Sequence, residues 1–433
     1  MFAVGTSAFG GGNAVTMQSL LFFSCRFHGG FRPTVTLAVM KAPTQALLTV
    51  FCALPLPAAA QSQLTLDFPA LAQRIVKQLD LKPGEKVMSL AHPGLFEALI
   101  PNLRYEVMKA GGVDLGVIEV VAEPVPASWD LSLLRKANAS SQAAYRAMLR
   151  DVDAAVMLPG AAPSHPAYAA LQDGLKEGRG RTVHFHWVEG GSAHPLPGQP
   201  LPSRPSIDAL YQRAVLESDC AAIGAAQRTF EQALRSGEVR VTTPAGTDLR
   251  FRIGLRPVNK QDGDASAARA AKGVILIDRE IELPCGAIRV APLEESVEGT
   301  IAFPPSQWNA RPVEGLKLRF EKGRIVAVQA TLGQEAAEAE IARAGEAGRN
   351  FRELALGFNP LLAIPEESPW IPYYGYGAGV VRLSLGDNTE LGGRVGGGYV
   401  RWNFFADATV RVGETVFVER GKLLHHVQGT GID

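Results

Sequence analysis

FRELALGFNP (351–360), PYYGYGAGVVRLSLGDNTELGG (372–393) and GGYVRWNFFADATV (397–410) form the stretch on which the reading of this chain turns. Glycine clusters alternate there with short apolar runs rich in strand-forming residues. Glycine adopts positive φ without a Cβ clash, so the pattern predicts short strands joined by tight turns that gather polar side chains. Gly375, Gly377 and Gly379 have the wrong spacing for a dinucleotide fingerprint and no helix after them, and read as turn glycines.

Upstream of this stretch the β character continues. VRVT (239–242) and LRFRI (249–253) alternate apolar and charged residues around PAGT (244–247), which predicts a hairpin with one wet face. Further strands are expected at 274–278, 287–291, 299–303, 316–320 and 324–330, with a helix over 334–347. The first half differs. Leu71, Ile75 and Leu79 have helical spacing, KPGE (82–85) is a turn, and 87–90 is a short buried strand. A helix over 95–109 stops at Gly111 and Gly112. Strands at 117–121, 154–158 and 182–186 alternate with helices at 143–150 and 168–176, the signature of an α/β layer with a mainly parallel sheet. A proline-rich segment, 195–205, leads into a connecting helix over 207–236. The expected fold is an α/β N-terminal domain, 61–236, followed by a β-rich α+β C-terminal domain, 237–433.

The first sixty residues read differently. Met40 and Lys41 begin a basic segment, 46–54 is apolar, and Ala58-Ala59-Ala60 precedes Gln61 as a small-residue cleavage pattern. This is the form of a secretory signal peptide at 40–60. Residues 1–39 are then a mis-assigned upstream start, the alternative being a genuine N-terminal extension. Cys52 lacks the small residues that a lipoprotein signal places before it. The expected location is periplasmic or extracellular.

The chain has 433 residues, with Lys+Arg 43 balancing Asp+Glu 43 and 46% hydrophobic residues. That composition argues against bulk disorder and gives no reason to expect nucleic acid or an anionic membrane as partner. After signal removal no apolar run is long enough to span a bilayer. Of 4 cysteines, Cys220 and Cys285 lie in the mature region. They could pair in an oxidising compartment or remain as two buried thiols.

Candidate chemistry is sparse. His184 and His186 share a strand face and could ligate metal, but no third ligand is near in sequence, which favours a structural role. His92, His165 and His194 lie beside prolines in turn-like contexts, and His425-His426 reads as exposed tail. Neither a His-Glu-x-x-His helix nor a Gly-x-Ser-x-Gly elbow occurs.

An ordered set of motifs points further: TPAGTD (243–248), LPCGAI (283–288), APLEESVEG (291–299), ELALGFNP (353–360) and LGDNTELGG (385–393), with LKPGEKV (81–87) near the start. Together they resemble the aminopeptidase T family of thermophilic metallopeptidases, over nearly all of the mature chain. The resemblance implies a homodimer and removal of N-terminal amino acids by two divalent cations, of zinc, cobalt or manganese type. Two such cations can hold the attacking water and the scissile carbonyl together. It also implies six ligands: two glutamates, two histidines, an aspartate and a tyrosine. At those positions this sequence has Ala287, Glu353, Arg382, Arg401, Asn403 and, aligned less surely, Thr389. Glu353 alone is retained.

Arginine has no lone pair for a metal and does not deprotonate in proteins. At an effective ε of ~20, like unit charges about 4 Å apart cost about 4 kcal/mol. The expectation is therefore no bound metal, unless the site is active after rearrangement. Glu353 is the retained catalytic position, with Arg382, Arg401 and Asn403 as ligand-contacting residues. The arginines either pair with Glu353 and close the site, or leave a basic pocket for a peptide or small carboxylate. Asp387, Glu390, Glu298 and Asp407 could make a shifted site, although carboxylates in such turns more often cap them. Tyr373, Tyr374 and Tyr376 line a cavity or belong to the core or an interface. The resulting reading is an exported, non-catalytic binding protein of this family. The alternative is an active metal-dependent aminopeptidase with a rearranged site.

Overall fold

The computed structural model describes residues 65–121, 125–188, 191–273 and 275–424, all within one compact unit. The signal segment, the upstream extension and His425-His426 lie outside the described residues.

A five-stranded parallel sheet organises the first half, in the order Val113–Glu119, Lys86–Ala91, Ala154–Met157, Arg181–Phe185 and Glu280–Leu283. Ala154–Met157 and Arg181–Phe185 are buried at every residue, as expected of a parallel sheet covered on both faces. The helix Phe68–Leu79 packs Leu71, Ile75 and Leu79 into the core, and the Asp67 carboxylate caps its start by accepting from the Ala70 amide at 3.0 Å. The helix Pro166–Lys176 is capped by His165, whose Nδ1 accepts from the Ala167 amide at 3.2 Å.

Three expectations need correction. The helix over 207–236 is two helices, Arg204–Glu217 and Cys220–Ser236. Asp219 breaks the run because its carboxylate caps the second helix, accepting from the Ala222 amide at 2.9 Å. In place of the strand expected over 274–278, the described residues Leu276–Asp278 form a 3-10 turn. The strand that follows, Glu280–Leu283, joins the parallel sheet as its last member, although it lies well past residue 236 in sequence. His194 is no loop residue either: Ala193–Pro195 pairs with Trp370–Pro372, and the His194 ring lies 4.4 Å from that of Phe404.

The second half is β-rich, as expected, and its two large sheets are antiparallel. One sheet runs Val400–Arg401, Val381–Gly386, Phe351–Gly357, Ala287–Val290 and Val258–Lys260, with Phe404–Phe405 also pairing to Val381–Gly386. A second sheet of eight strands contains the hairpin Val239–Thr242 and Asp248–Phe251, whose residues alternate between buried and exposed as the sequence predicted. The glycine clusters act where backbones nearly touch. A Cβ on Gly357 would lie 2.0 Å from the Gly377 carbonyl oxygen, so only glycine lets the 375–379 turn pack against that strand.

Candidate functional site

Phe351–Gly357 and Val381–Gly386 are buried at every position, yet they carry Arg352, Glu353 and Arg382. Register explains how these residues meet. Arg289, Ala355 and Arg382 sit opposite one another across three neighbouring strands, so both arginines rise from one sheet face. The small Ala355 between them leaves room for both guanidinium groups to lean toward Glu353. A register shift between Phe351 and Glu353, opposite Leu385 and Ser384, brings Arg352 into the same cluster.

The contacts are dense. Oε2 of Glu353 accepts from Nε and Nη2 of Arg289, each at 3.2 Å. Oε1 takes the Ser384 hydroxyl at 3.1 Å and lies 3.0 Å from Nη2 of Arg382. Glu390 accepts from Arg289 at 2.6 Å and from Arg352. Burial alone would raise the Glu353 pKa, but Arg289, then Arg382 and Arg352, outweigh it and hold the carboxyl far below the usual range. Glu390 is lowered too, with burial opposed by Arg352 and Arg289.

Three guanidinium groups thus face two carboxylates. Two N–H groups, Nε of Arg352 and Nε of Arg382, are buried with no hydrogen-bond acceptor among the described residues, although Nε of Arg352 lies 3.7 Å from Glu353 Oε2. Trp402, exposed on one side, lies over the Arg382 guanidinium at 5.2 Å. The next carboxylate, Glu282, accepts from the Tyr376 hydroxyl.

Expected site residues separate here. Arg382 reaches Glu353; Arg401 does not. Arg401 is opposite Leu385, one residue out of phase with Arg382 and Ser384, so its side chain leaves by the other face. There it binds Glu340 at 2.8 Å and lies 3.5 Å over the Trp308 ring. Asn403 accepts from Arg401 at 3.1 Å and donates to the Leu383 carbonyl at 3.1 Å, so it closes a strand irregularity and does not touch Glu353. Thr389 donates its hydroxyl to Asp387 at 2.6 Å within a turn, and Asp387 also accepts from the Gly398 amide. Glu298 accepts from the Lys322 amide at 2.9 Å. Glu390, weighed above as a turn carboxylate, belongs to the arginine cluster.

Sequence reasoning passed over Arg289 and Arg352. The signal was available: Arg289 follows Ala287 by one strand repeat, on the same face. Arg352 was hidden by the register shift.

This donor set does not fit a pair of divalent cations. Both Glu353 oxygens are engaged by cationic or hydroxyl donors, Ala287 offers no donor atom, and Arg382 offers only N–H groups. Among the described residues, no three His, Cys, Asp or Glu side chains come together so as to hold a metal ion.

A second polar group closes the end of the parallel sheet. The Tyr168 hydroxyl and His184 Nε2 are 2.6 Å apart, and His184 Nδ1 lies 3.1 Å from Glu280. With both ring nitrogens engaged, His184 is not free to bind a metal, although its ring does neighbour that of His186 at 5.0 Å. Burial lowers the pKa of His184 to about 4, and burial with the neighbouring His184 lowers that of His186 to about 4. Glu280 moves the other way, up to about 7, chiefly by burial and then by Glu282 and Glu390, against the hydrogen bond it accepts from Gln172.

A parallel α/β layer joined to an antiparallel region is the architecture of aminopeptidase T. The structure of wild-type AmpT from Thermus thermophilus matches with a TM-score of 0.55 at 19% identity, over 82% of this chain and 98% of that one. The 2,5-dihydroxypyridine dioxygenase of Pseudomonas putida KT2440 matches with a TM-score of 0.55 at 14% identity, over 83% and 97%. Comparison with curated protein sequences finds no match. Residues 222–363 match the model of the thermophilic metalloprotease (M29) family. The two structural neighbours bear names of different chemistries, so the shared fold does not assign a reaction.

Proposed function

We propose that this is an exported aminopeptidase T-like protein in which an arginine–carboxylate cluster stands where the family holds its cations, and that it binds a peptide or small carboxylate without hydrolysing it. The observation that carries this reading is the state of Glu353, the retained ligand position, whose oxygens are taken by Arg289, Arg382 and Ser384. The excess guanidinium charge and the unpartnered Nε groups of Arg352 and Arg382 suit a ligand carboxylate. A homodimer belongs to the same proposal. The helix Leu131–Met148 buries none of its residues and exposes Leu131, Leu133 and Met148, apolar side chains that a second subunit would cover.

The test has two parts. After equilibration with zinc, cobalt or manganese and desalting, the purified protein retains far less than one metal per chain, and aminoacyl chromogens show no chelator-sensitive hydrolysis. In calorimetry against amino acids and dipeptides, Arg382→Ala and Arg352→Ala weaken whatever binding the wild type shows, while Arg401→Ala leaves it unchanged. Stoichiometric metal with a chelator-sensitive rate would overturn the proposal.

The second reading, an aminopeptidase with a rearranged site, draws on Glu280. A buried carboxyl with a pKa of about 7 beside His184 suits general acid–base work. It requires that Glu280→Gln abolish a measurable aminopeptidase rate.

A further inference from the structure

Cys220 begins the helix Cys220–Ser236, just after the break at Ser218 and Asp219. Its sulfur accepts from Nη2 of Arg74 at 3.3 Å and from Nε2 of Gln78 at 3.4 Å, both on the first helix. Cys285 follows the last strand of the parallel sheet and is fully buried, whereas Cys220 is half-buried. The two thiols are near enough to influence each other's charge. They meet beside Gly263, where a methyl group would lie 2.7 Å from the Cys220 sulfur and 3.3 Å from the Cys285 Cβ. Gly263 is therefore what leaves room for the pair. Arg74 also donates to the Ser218 carbonyl at 2.6 Å, and its Nε is buried without an acceptor.

A sulfur approached by a guanidinium and an amide is held toward thiolate, the form that reacts with electrophiles. The neighbouring Cys285 and the charge of Arg74 lower the Cys220 pKa against the effect of burial, while Cys220 and burial raise that of Cys285. One thiol is partly buried and activated; the other is sequestered and adjacent.

We infer that Cys220 and Cys285 form a modification site at which a hydroperoxide oxidises Cys220 and Cys285 closes the product to a disulfide. The Cys220 thiolate attacks one peroxide oxygen; the S–O bond forms, the O–O bond breaks, and the other oxygen leaves with a proton as water or alcohol. Cys285 sulfur then attacks the Cys220 sulfenic acid; the S–S bond forms, the S–O bond breaks, and that hydroxyl leaves as water with the Cys285 proton. The peroxide is reduced by two electrons and the dithiol is oxidised by two. This site is separate from Glu353 and independent of the proposed ligand. The disulfide would join the start of a helix to the turn before the strand that carries Arg289.

The test uses the purified chain and hydrogen peroxide, followed by alkylation under denaturing conditions and peptide mass analysis, which separates these thiols from Cys25 and Cys52. Wild type yields a Cys220–Cys285 linked peptide. Cys285→Ser stops at a Cys220 adduct with dimedone. Arg74→Met slows Cys220 oxidation about tenfold, since thiolate fraction falls a decade per pKa unit. Full alkylation of both cysteines after peroxide, or Cys220 reacting more slowly in the folded than in the denatured wild type, would overturn the inference.

Discussion

Two buried carboxylates, Glu353 on the antiparallel sheet and Glu280 on the parallel one, meet opposite electrostatic surroundings. Glu353 is enclosed by Arg289, Arg352 and Arg382 and stays ionised against the cost of burial. Glu280 has neutral partners, Gln172 and His184, with other carboxylates nearby, and its proton is retained up to about pH 7. Desolvation acts on both in the same direction. Whether it prevails depends on a cation within reach, so the neighbours set the chemistry of each glutamate.

The comparison can be broken most directly at Glu353. Glu353→Gln leaves Arg382 buried without its counter-charge and Arg289 with Glu390 alone, and unfolding in urea is expected to show a loss of about 3–5 kcal/mol. A loss below about 1 kcal/mol would mean that water already compensates those arginines.

Titration sharpens the same contrast. Glu353 has a depressed folded pKa, so its stabilisation is complete above its ordinary value of 4.5 and is lost only as pH falls below that. Glu280 has a raised folded pKa. Its contribution is complete below 4.5 and is lost as pH rises toward about 7, by up to about 3 kcal/mol. His184, His186 and His194, all lowered to about 4, oppose it: their stabilisation is complete above 6.5 and declines as pH falls. Subtracting the Glu280→Gln stability curve from that of wild type isolates the glutamate. The difference is expected to turn against wild type between pH 5 and 7; a flat difference would place Glu280 in a solvated setting.

Smaller effects follow at each periphery. Tyr168→Phe removes the hydroxyl that meets His184 Nε2, with an expected cost of about 1–3 kcal/mol in thermal or urea unfolding. Thr389→Ala removes a turn hydrogen bond to Asp387 on a partly exposed segment and is expected to cost less than about 1 kcal/mol, with ligand binding unchanged. A binding defect in Thr389→Ala would return that position to the site.

Much of the fold was legible because periodicity and glycine placement are local properties. The parallel α/β alternation, the 239–251 hairpin and the turn role of Gly375 and Gly379 all emerged from residues close in sequence. The strand Glu280–Leu283 was missed because its partner is Arg181–Phe185, about a hundred residues earlier. At the site, Glu353 and Arg382 were read as a pair from family positions alone, and they are in contact. Arg401 was read into the same group and lies on the opposite face.

The sequence by itself determined which charged residues the glycine-rich strands would carry, with Ala287 and Arg382 at positions where the family resemblance implies coordinating side chains. Only the tertiary structure decided which of those charges meet. Side chains alternate across a strand with a period of two, so one step of register separates Arg382, turned to Glu353, from Arg401, turned to Trp308. A register shift of the same size brought Arg352 in. Charge could be counted along the chain, but its sign at a given point in space depended on how the strands were aligned.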